Sequence, residues 1–442
     1  MNSVHIAVVG AGIVGVQTAW QLRRRGHRVV VVSPDVGEGA SWAAAGMLAP
    51  VSEVQFGQER LYPLMMRARE EYPALIEDLE RATTRPHGYR ENGMVLLGWD
   101  AADRRALDDR AAVQRGHGME VRELTGRGLR RAEPALNPRL AGGYAAPEDQ
   151  QVDPRLLIGA LTDALGRELD PAAFPEAGPP AEWVRGKVTR IDAEGERWRL
   201  TVSAGGDEPP PRGDESSPPG DESTLAGDES SPTGDDSSLT ADRVLVAAGL
   251  SHGEIAGVTE RLPLDLRPVH GDVLRLRLTP GQLLPGEAHL IGATVRATVR
   301  GRQVYLVPRE DGGLVVGASV REDGLAGVSA GGVQELLDDA VAVLPAVKDM
   351  ELVEMTARAR PGTPDDVPCL GRVPGAEGVV VSTGYSRHGI LLAPLGARLA
   401  AELLTDHPLG DRDAALLAGM DPARFTSAQA APSTPSLEGA PA

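Results

Sequence analysis

HIAVVGAGIVGVQTAWQLRRRGHRVVVVS, residues 5–33, decides how the rest of the chain is read. His5 to Val9 is an apolar run of strand length. Gly10-Ala11-Gly12-Ile13-Val14-Gly15 fills G-x-G-x-x-G without a gap. Val14, Ala19 and Leu22 then give a helix an apolar side, and Gly26 stands where a helix ends. Val29 to Val32 reads as a second buried strand. Strand, glycine turn, helix and strand make a dinucleotide-binding unit, and each glycine has a physical task. Gly10 allows the tight turn, Gly12 lets a pyrophosphate approach the backbone, and Gly15 lets helix and sheet pack closely. The helix N-terminus offers N–H groups and the positive dipole end to the phosphates. One element departs from this pattern: an acidic residue ordinarily ends the second strand to hold a ribose. Here Ser33 stands there, followed by Pro34 and Asp35.

Composition narrows the function classes. A length of 442 residues suggests two or three domains at roughly 150 residues each. The net charge of −18 argues against a nucleic-acid surface, which needs clustered Lys and Arg. A single Cys excludes an internal disulfide and a cysteine metal cluster, and the nine His show no ligand spacing. No apolar stretch is long enough for a transmembrane helix. The first strand begins too near Met1 for a cleavable signal, so a cytoplasmic location is expected.

Beyond the second strand, Gly39 to Pro50 is a run of small residues suited to a backbone pressed against a flat ligand, or to a tightly packed helix. Arg60 to Arg81 reads as a helix with Leu61, Leu64, Met65, Leu75, Ile76 and Leu79 on one side. Gly93 to Gly98 is a strand and Ala101 to Gly116 a charged helix. Asp153-Pro154 opens a helix over 155–169, with Asp as N-cap and Pro at the first position. Val188–Ile191 and Trp198–Val202 form a hairpin. Val244 to Gly249 is a buried strand ending in small residues. Gln303 to Arg309 pairs with Gly313 to Gly317 across a Glu-Asp-Gly turn. Gly332–Leu344 and Pro394–Leu404 are helices.

Residues 213–240 are four tandem heptads, GDESSPP, GDESTLA, GDESSPT and GDDSSLT. They carry eight acids and no Lys or Arg, and without them the charge would be −10. Such a segment lacks the apolar area to offset its ordering entropy, so disorder is expected there and in the Ser/Ala/Pro tail from about 424.

Four stretches, Gly10–Gly15, Ala40–Leu48, Arg360–Asp365 and Gly384–Pro394, together make the chain similar to a known family. It resembles the D-amino-acid-oxidase-like flavoproteins, and among them the glycine oxidases of thiamine biosynthesis. The resemblance runs in order over residues 4–425, interrupted by the acidic repeats. It implies an α/β and α+β fold, a Rossmann-type FAD-binding domain with a second, antiparallel-sheet substrate domain. The FAD-binding domain would comprise 1–85, 151–255 (with a disordered insert at 205–240) and 346–423. The substrate domain would comprise 86–150 and 256–345, and 424–442 would be a disordered tail.

The resemblance further implies a non-covalent FAD. Ile13 and Val14 would join Gly10, Gly12 and Gly15 at the pyrophosphate, and Ser33 and Pro34 would lie by the adenosine ribose. Ala40, Ser41, Ala45, Gly46 and Met47 would follow the ribityl chain and ring, and Val188 would meet the adenine through its backbone. Ala248 and Gly249 complete that side, while Tyr385, Ser386, Arg387, His388, Gly389, Ile390 and Leu391 would wrap the flavin's pyrimidine edge. Arg360, Arg387 and Tyr305 are the implied catalytic set, with Gln303 beside them in substrate binding. Two departures stand out: Gln303 replaces an active-site His, and His270 replaces a basic residue in the Pro-Val-x-Gly turn. The implied activity is oxidation of glycine and other small amino acids or amines to the imine, with O2 reduced to H2O2. The rival readings are a D-amino-acid dehydrogenase passing electrons to a quinone, and a non-catalytic flavin-binding redox module. Subunit assembly is left open.

Overall fold

The computed structural model describes residues 3–203, 237–283 and 289–428. His5–Ala11 and Arg28–Val36 are the expected first two strands, joined by the helix Ile13–Arg23. They sit in a six-stranded sheet whose order is Cys369–Val373, Ala376–Thr383, Arg243–Val246, His5–Ala11, Arg28–Val36, Glu182–Arg185. All pairings are parallel except the edge hairpin of Cys369–Val373 with Ala376–Thr383. Near-continuous Val and Ile runs are what a sheet covered on both faces requires. One face carries Ile13–Arg23, Tyr62–Ala82, Pro154–Gly166 and Gly389–Leu404, around Trp20, Tyr72 and Leu399. The other is covered by the three-stranded sheet Lys187–Glu194, Arg197–Ser203 and Ser237–Ala241.

The second large sheet has eight strands, ordered Glu351–Gly362, Arg267–Arg277, Leu314–Gly317, Arg302–Pro308, Thr294–Val299, Met94–Gly98, Gly143–Ala146, Arg122–Leu124. It is antiparallel except where Thr294–Val299 runs parallel to Met94–Gly98, the point at which the two sequence-distant halves meet. The helix Ala330–Val343 packs on one face over Val304, Leu306 and Val316. The opposite face carries Val273, Val307 and Val315 against Ala45 and Met47, and so turns toward the first sheet.

Three local expectations are corrected. Ser237–Thr240, the end of the last acidic heptad, is not loop but strand, paired with Arg197–Ser203. Leu239 packs there on the small sheet's core, which explains its order. The remaining heptads lie outside the described residues. Glu351–Gly362, grouped by sequence with the FAD-binding part, hydrogen-bonds to Arg267–Arg277 and extends the second sheet. The chain beyond 424 is not wholly tail: Ala423–Ala428 is helical, and Arg424 donates to both carboxylate oxygens of Asp365 and to Val367 O. Residues 429–442 lie outside the described residues.

Candidate active site

A cavity of about 920 Å³ lies between the two large sheets. One end is made by the glycine turn. Gly10 has φ +100°, and a Cβ there would lie 2.6 Å from Ala247 O, so only glycine fits the turn. A Cβ at Gly15 would lie 1.9 Å from Gly10 O; this glycine serves packing and does not line the cavity. Gly12 faces open space, with only Ser41 Oγ, at 3.6 Å, near its missing side chain. The helix after it has no side-chain cap from Gly12. Ser41 Oγ accepts the Ile13 N–H at 3.1 Å and Ser33 Oγ accepts the Ala11 N–H at 3.2 Å. Ser33 therefore braces the turn and does not spend its hydroxyl proton in doing so. Asp35 and Glu38 also line this end.

The small-residue run is tied down by arginines of neighbouring elements. Arg155 and Arg275 donate to Trp42 O at 3.1 and 3.2 Å, and Arg309 donates to Ala45 O at 2.8 Å. Gly46 has φ +76°, and a Cβ there would lie 1.9 Å from Val152 O. The segment is thus held by its backbone, with its small side chains free to face the cavity. Ala40, Ser41, Ala45, Gly46, Met47, Val188, Ala248 and Gly249 line it, as do Gly10, Gly12, Ile13, Val14, Ser33 and Pro34. From the 385–391 turn, Tyr385, Ser386, Arg387, Gly389 and Ile390 are on the wall, while Leu391 is in the core and His388 lies behind Arg387. Ser386 has φ +48°, a strained left-handed turn that begins the Gly389–Leu404 helix.

The other end is built from side chains. Gln303 and Tyr305 alternate with the core residues Val304 and Leu306, and so share the cavity face. Gln303 donates to Thr298 Oγ1 at 2.8 Å. Arg360 reaches across the strand pair to lie over Gly271, where a Cβ would come within 2.3 Å of both terminal nitrogens. Its Nη1 is buried with no hydrogen-bond partner among the described residues. A Cβ at Gly317 would lie 2.3 Å from the Tyr305 hydroxyl, so this second glycine makes room for the phenol. Burial raises the Tyr305 phenol above its ordinary value, although the Arg360 charge opposes the shift. It stays a proton donor at neutral pH. His270 alternates with Val269 and Gly271 and is absent from the cavity wall; it does not shape the site as the sequence suggested.

Arg387 is one member of a chain. Its Nη2 donates to Gln58 Oε1 at 2.6 Å and its Nε to His388 Nε2 at 3.1 Å. An accepting Nε2 leaves the proton on Nδ1, which lies 3.0 Å from Glu53 Oε2. The other Glu53 oxygen accepts from Arg296 Nη1 at 2.7 Å. Burial pushes the Glu53 carboxyl up, but the His388 hydrogen bond and the Arg296 charge hold it well below the carboxylate range. Burial likewise lowers His388, which is consistent with a neutral ring. The loop carrying Glu53 is anchored by Asp149, whose oxygens accept the Val51 and Ser52 N–H groups at 3.1 and 2.8 Å. Burial pushes the Asp149 carboxyl up to about 7.

Glu53, Arg296 and Gln58 escaped the sequence reading. A signal existed for one of them: Thr294, Arg296 and Thr298 make a polar face on a strand whose other residues, Val295, Ala297 and Val299, are core.

An adenine dinucleotide fits this cavity by its observed features: an open backbone at Gly12, a helix start whose N-cap residue has no side chain, and a wall of small residues held through its main-chain carbonyls. Among the described residues no His/Cys/Asp/Glu group is arranged for a metal, and no helix is long and apolar enough to cross a membrane. Cys369 is buried in its strand, off the cavity wall, and burial pushes its thiol up to about 11.

Comparison with known proteins agrees with this architecture. The crystal structure of glycine oxidase from Geobacillus kaustophilus superposes with a TM-score of 0.74 and 29% identity, over 92% of this chain and 96% of that one. The putative thiamine biosynthesis oxidoreductase ThiO of Rhizobium etli is 28% identical over 93% of this chain and all of its own length. The bifunctional protein ThiO/ThiG of Synechocystis is 29% identical over 95% of this chain, which spans about half (54%) of that longer protein. The family model described as DAO, FAD dependent oxidoreductase, matches residues 5–403, and the chain belongs to that family.

Proposed function

We propose that this protein oxidises glycine and other small amino acids to the imine, with O2 as electron acceptor, as a step toward the thiazole of thiamine. The single observation that carries the reading is the buried Arg360 Nη1, unpartnered among the described residues, beside a half-buried, protonated Tyr305 on the wall of the cofactor cavity. A guanidinium in that state calls for a carboxylate. For glycine the balance is H2N–CH2–COO⁻ + O2 → HN=CH–COO⁻ + H2O2. FAD, held non-covalently, supplies the two-electron acceptor when bound.

The chain's own residues do the rest. Gly10–Val14 and the Ala40–Met47 run would hold the dinucleotide through backbone and shape. Arg360 would grip the substrate carboxylate, and the Tyr305 hydroxyl would donate to the same group. The surrounding guanidinium charges favour loss of a proton from the substrate ammonium, because a second cation beside them is disfavoured. The amine is then neutral, the form that can be oxidised. Orientation of the Cα–H bond by two fixed contacts is the main contribution expected of the protein.

The relatives named glycine oxidase and ThiO support this choice of substrate and setting, and a cytoplasmic location is part of the same proposal. An oxygen-electrode trace with the FAD-loaded protein and glycine tests it. Oxygen uptake with stoichiometric H2O2 is expected. Reduction of the flavin by glycine without oxygen uptake would favour a quinone-linked dehydrogenase. No reduction by any small amino acid would leave the non-catalytic reading.

A further inference from the structure

One face of the strand Arg302–Pro308 serves both parts of the cavity. Side chains two residues apart share a face, so Gln303, Tyr305, Val307 and then Arg309 point the same way. Gln303 and Tyr305 stand on the cavity wall. Val307 packs on Ala45, in a cluster that also takes Met47 and Tyr305. Arg309 is buried, off the wall, and donates from Nη2 to Ala45 O at 2.8 Å. Its Nη1 donates to Gln151 Oε1 at 3.1 Å and to Val152 O at 3.4 Å, and its Nε lies 3.2 Å from Asp153 Oδ2. A cofactor that reaches from the glycine turn to Tyr305 brings its reacting ring past Ala45–Met47, the part of the wall packed with that phenol.

The direction of one peptide follows. A trans peptide points its C=O and its N–H to opposite sides, and the bond between Ala45 and Gly46 is not cis. Ala45 O points at Arg309, behind the wall, so the Gly46 N–H is turned toward the cavity. That N–H makes no hydrogen bond among the described residues. Gly46 O accepts the Val152 N–H at 2.9 Å, again from behind the wall, so the next peptide is turned the same way. The φ of +76° at Gly46 allows two successive N–H groups to face one side, an arrangement in which backbone presents partial positive charge. A guanidinium on the Ala45 carbonyl polarises the peptide and strengthens its N–H as a donor. The carboxylate in contact with Arg309 is Asp153, whose other oxygen caps the helix Pro154–Gly166.

We propose that Arg309 is a positioning residue for the flavin: through Ala45 O it aims and strengthens the Gly46 N–H as a fixed donor to the ring, and so favours the reduced cofactor. A ring that takes up two electrons gains negative charge, and a donor already in place needs no reorganisation to meet it. The same guanidinium ties that donor to the strand bearing Tyr305, so the cofactor wall and the substrate phenol keep one spacing. A simple brace would hold the run without moving the flavin's potential. The inference rests on the flavin and not on which amine is oxidised.

The test uses FAD-saturated protein and no substrate. The two-electron midpoint potential is measured by dye-coupled reduction, with flavin absorbance and visible circular dichroism recorded on the same samples. Arg309→Met keeps most of the bulk and removes the charge and the donors. It should shift the balance about tenfold toward the oxidised form, or about 30 mV for a two-electron couple. Arg309→Lys should recover part of the shift, since an ammonium restores the charge but not the set of bonds. Asp153→Asn keeps the helix cap and removes the charge that balances Arg309, so it should move the potential the other way, upward. If Arg309→Met does not fold, the rise in Asp153→Asn and the smaller fall in Arg309→Lys decide the question. A wild-type potential and flavin spectrum in folded, FAD-saturated Arg309→Met overturns the proposal and leaves Arg309 a brace, whatever its thermal midpoint. A fall or no change in Asp153→Asn overturns it as well.

Discussion

The two ends of the cavity are built by opposite means. At the nucleotide end the working parts are backbone: the turn at Gly10, the open face of Gly12 and the helix start at Ile13. Side chains there are small, and Ser33 and Ser41 spend their hydroxyl oxygens bracing the turn. At the substrate end the working parts are long side chains from three parts of the chain: Arg296 and Tyr305 on paired strands, Arg360 on the edge strand, and Arg387 on the Ser386–His388 turn, with Arg296 and Arg387 tied through Glu53 and His388. A backbone site fails when atoms are added, and a guanidinium site fails when atoms are removed. Each end therefore has its own most damaging substitution.

The largest effect is expected at Glu53. Breaking a buried ion pair by removing one charge costs about 3–5 kcal/mol, so Glu53→Gln should lower the thermal midpoint sharply. The folded carboxyl titrates below its ordinary value of 4.5. Its stabilisation is complete above that value and is lost as pH falls below it. The gap in midpoint between wild type and Glu53→Gln should therefore be widest at neutral pH and narrow on acidification. A gap that does not change with pH would mean that the carboxylate charge is not what holds the network together.

Arg360 comes next. Removing one partner of a buried charge pair costs about 2–5 kcal/mol, or roughly 30- to 3,000-fold in kcat/KM at ~1.4 kcal/mol per decade. Arg360→Ala should show this loss for glycine with its flavin content intact. Arg360→Lys should recover part, since an ammonium cannot make the parallel pair of bonds. If Arg360→Ala keeps its flavin and stays within about threefold, on that scale, the carboxylate is held by Arg387 instead.

At the nucleotide end the effect should be smaller and of another kind. Gly15→Ala forces Gly10 O away from a position 1.9 Å from the new Cβ, an overpacking that costs about 1–3 kcal/mol. FAD affinity should fall while kcat of the fully loaded enzyme stays close to wild type. A fall in kcat at saturating FAD would show that the two ends are coupled. The smallest effect is expected from deleting residues 213–233, three of the four acidic heptads. Doubling a loop's length costs only ~0.6 kcal/mol, so flavin content and midpoint should barely move. Extending the deletion through Thr240 removes the strand that pairs with Arg197–Ser203 and should destabilise.

The nucleotide end was legible in the sequence because its determinants are contiguous. Residues 5–33 hold the strand, the turn, the helix and the next strand, and the missing Cβ atoms that matter are written as glycines. The small-residue run Ala40–Met47 and the stretch beginning at Arg360 were legible for the same reason. The substrate end was legible only in part. Arg360, Arg387 and Tyr305 stand in recognisable stretches, but Glu53 and Gln58 carry no local mark of their partnership, and Arg296 shows only as part of a polar strand face. Glu53 and Arg296 meet across 243 residues of chain and Arg387 and Gln58 across 329. His270, which the sequence marked only as a departure in the Pro-Val-x-Gly turn, lies off the cavity wall by strand alternation. Local sequence determined the backbone geometry that receives a dinucleotide, because φ, ψ and steric room are properties of neighbouring residues. Only the tertiary structure decided which charges face one another, because burial and ion pairing depend on strands that the fold alone brings together.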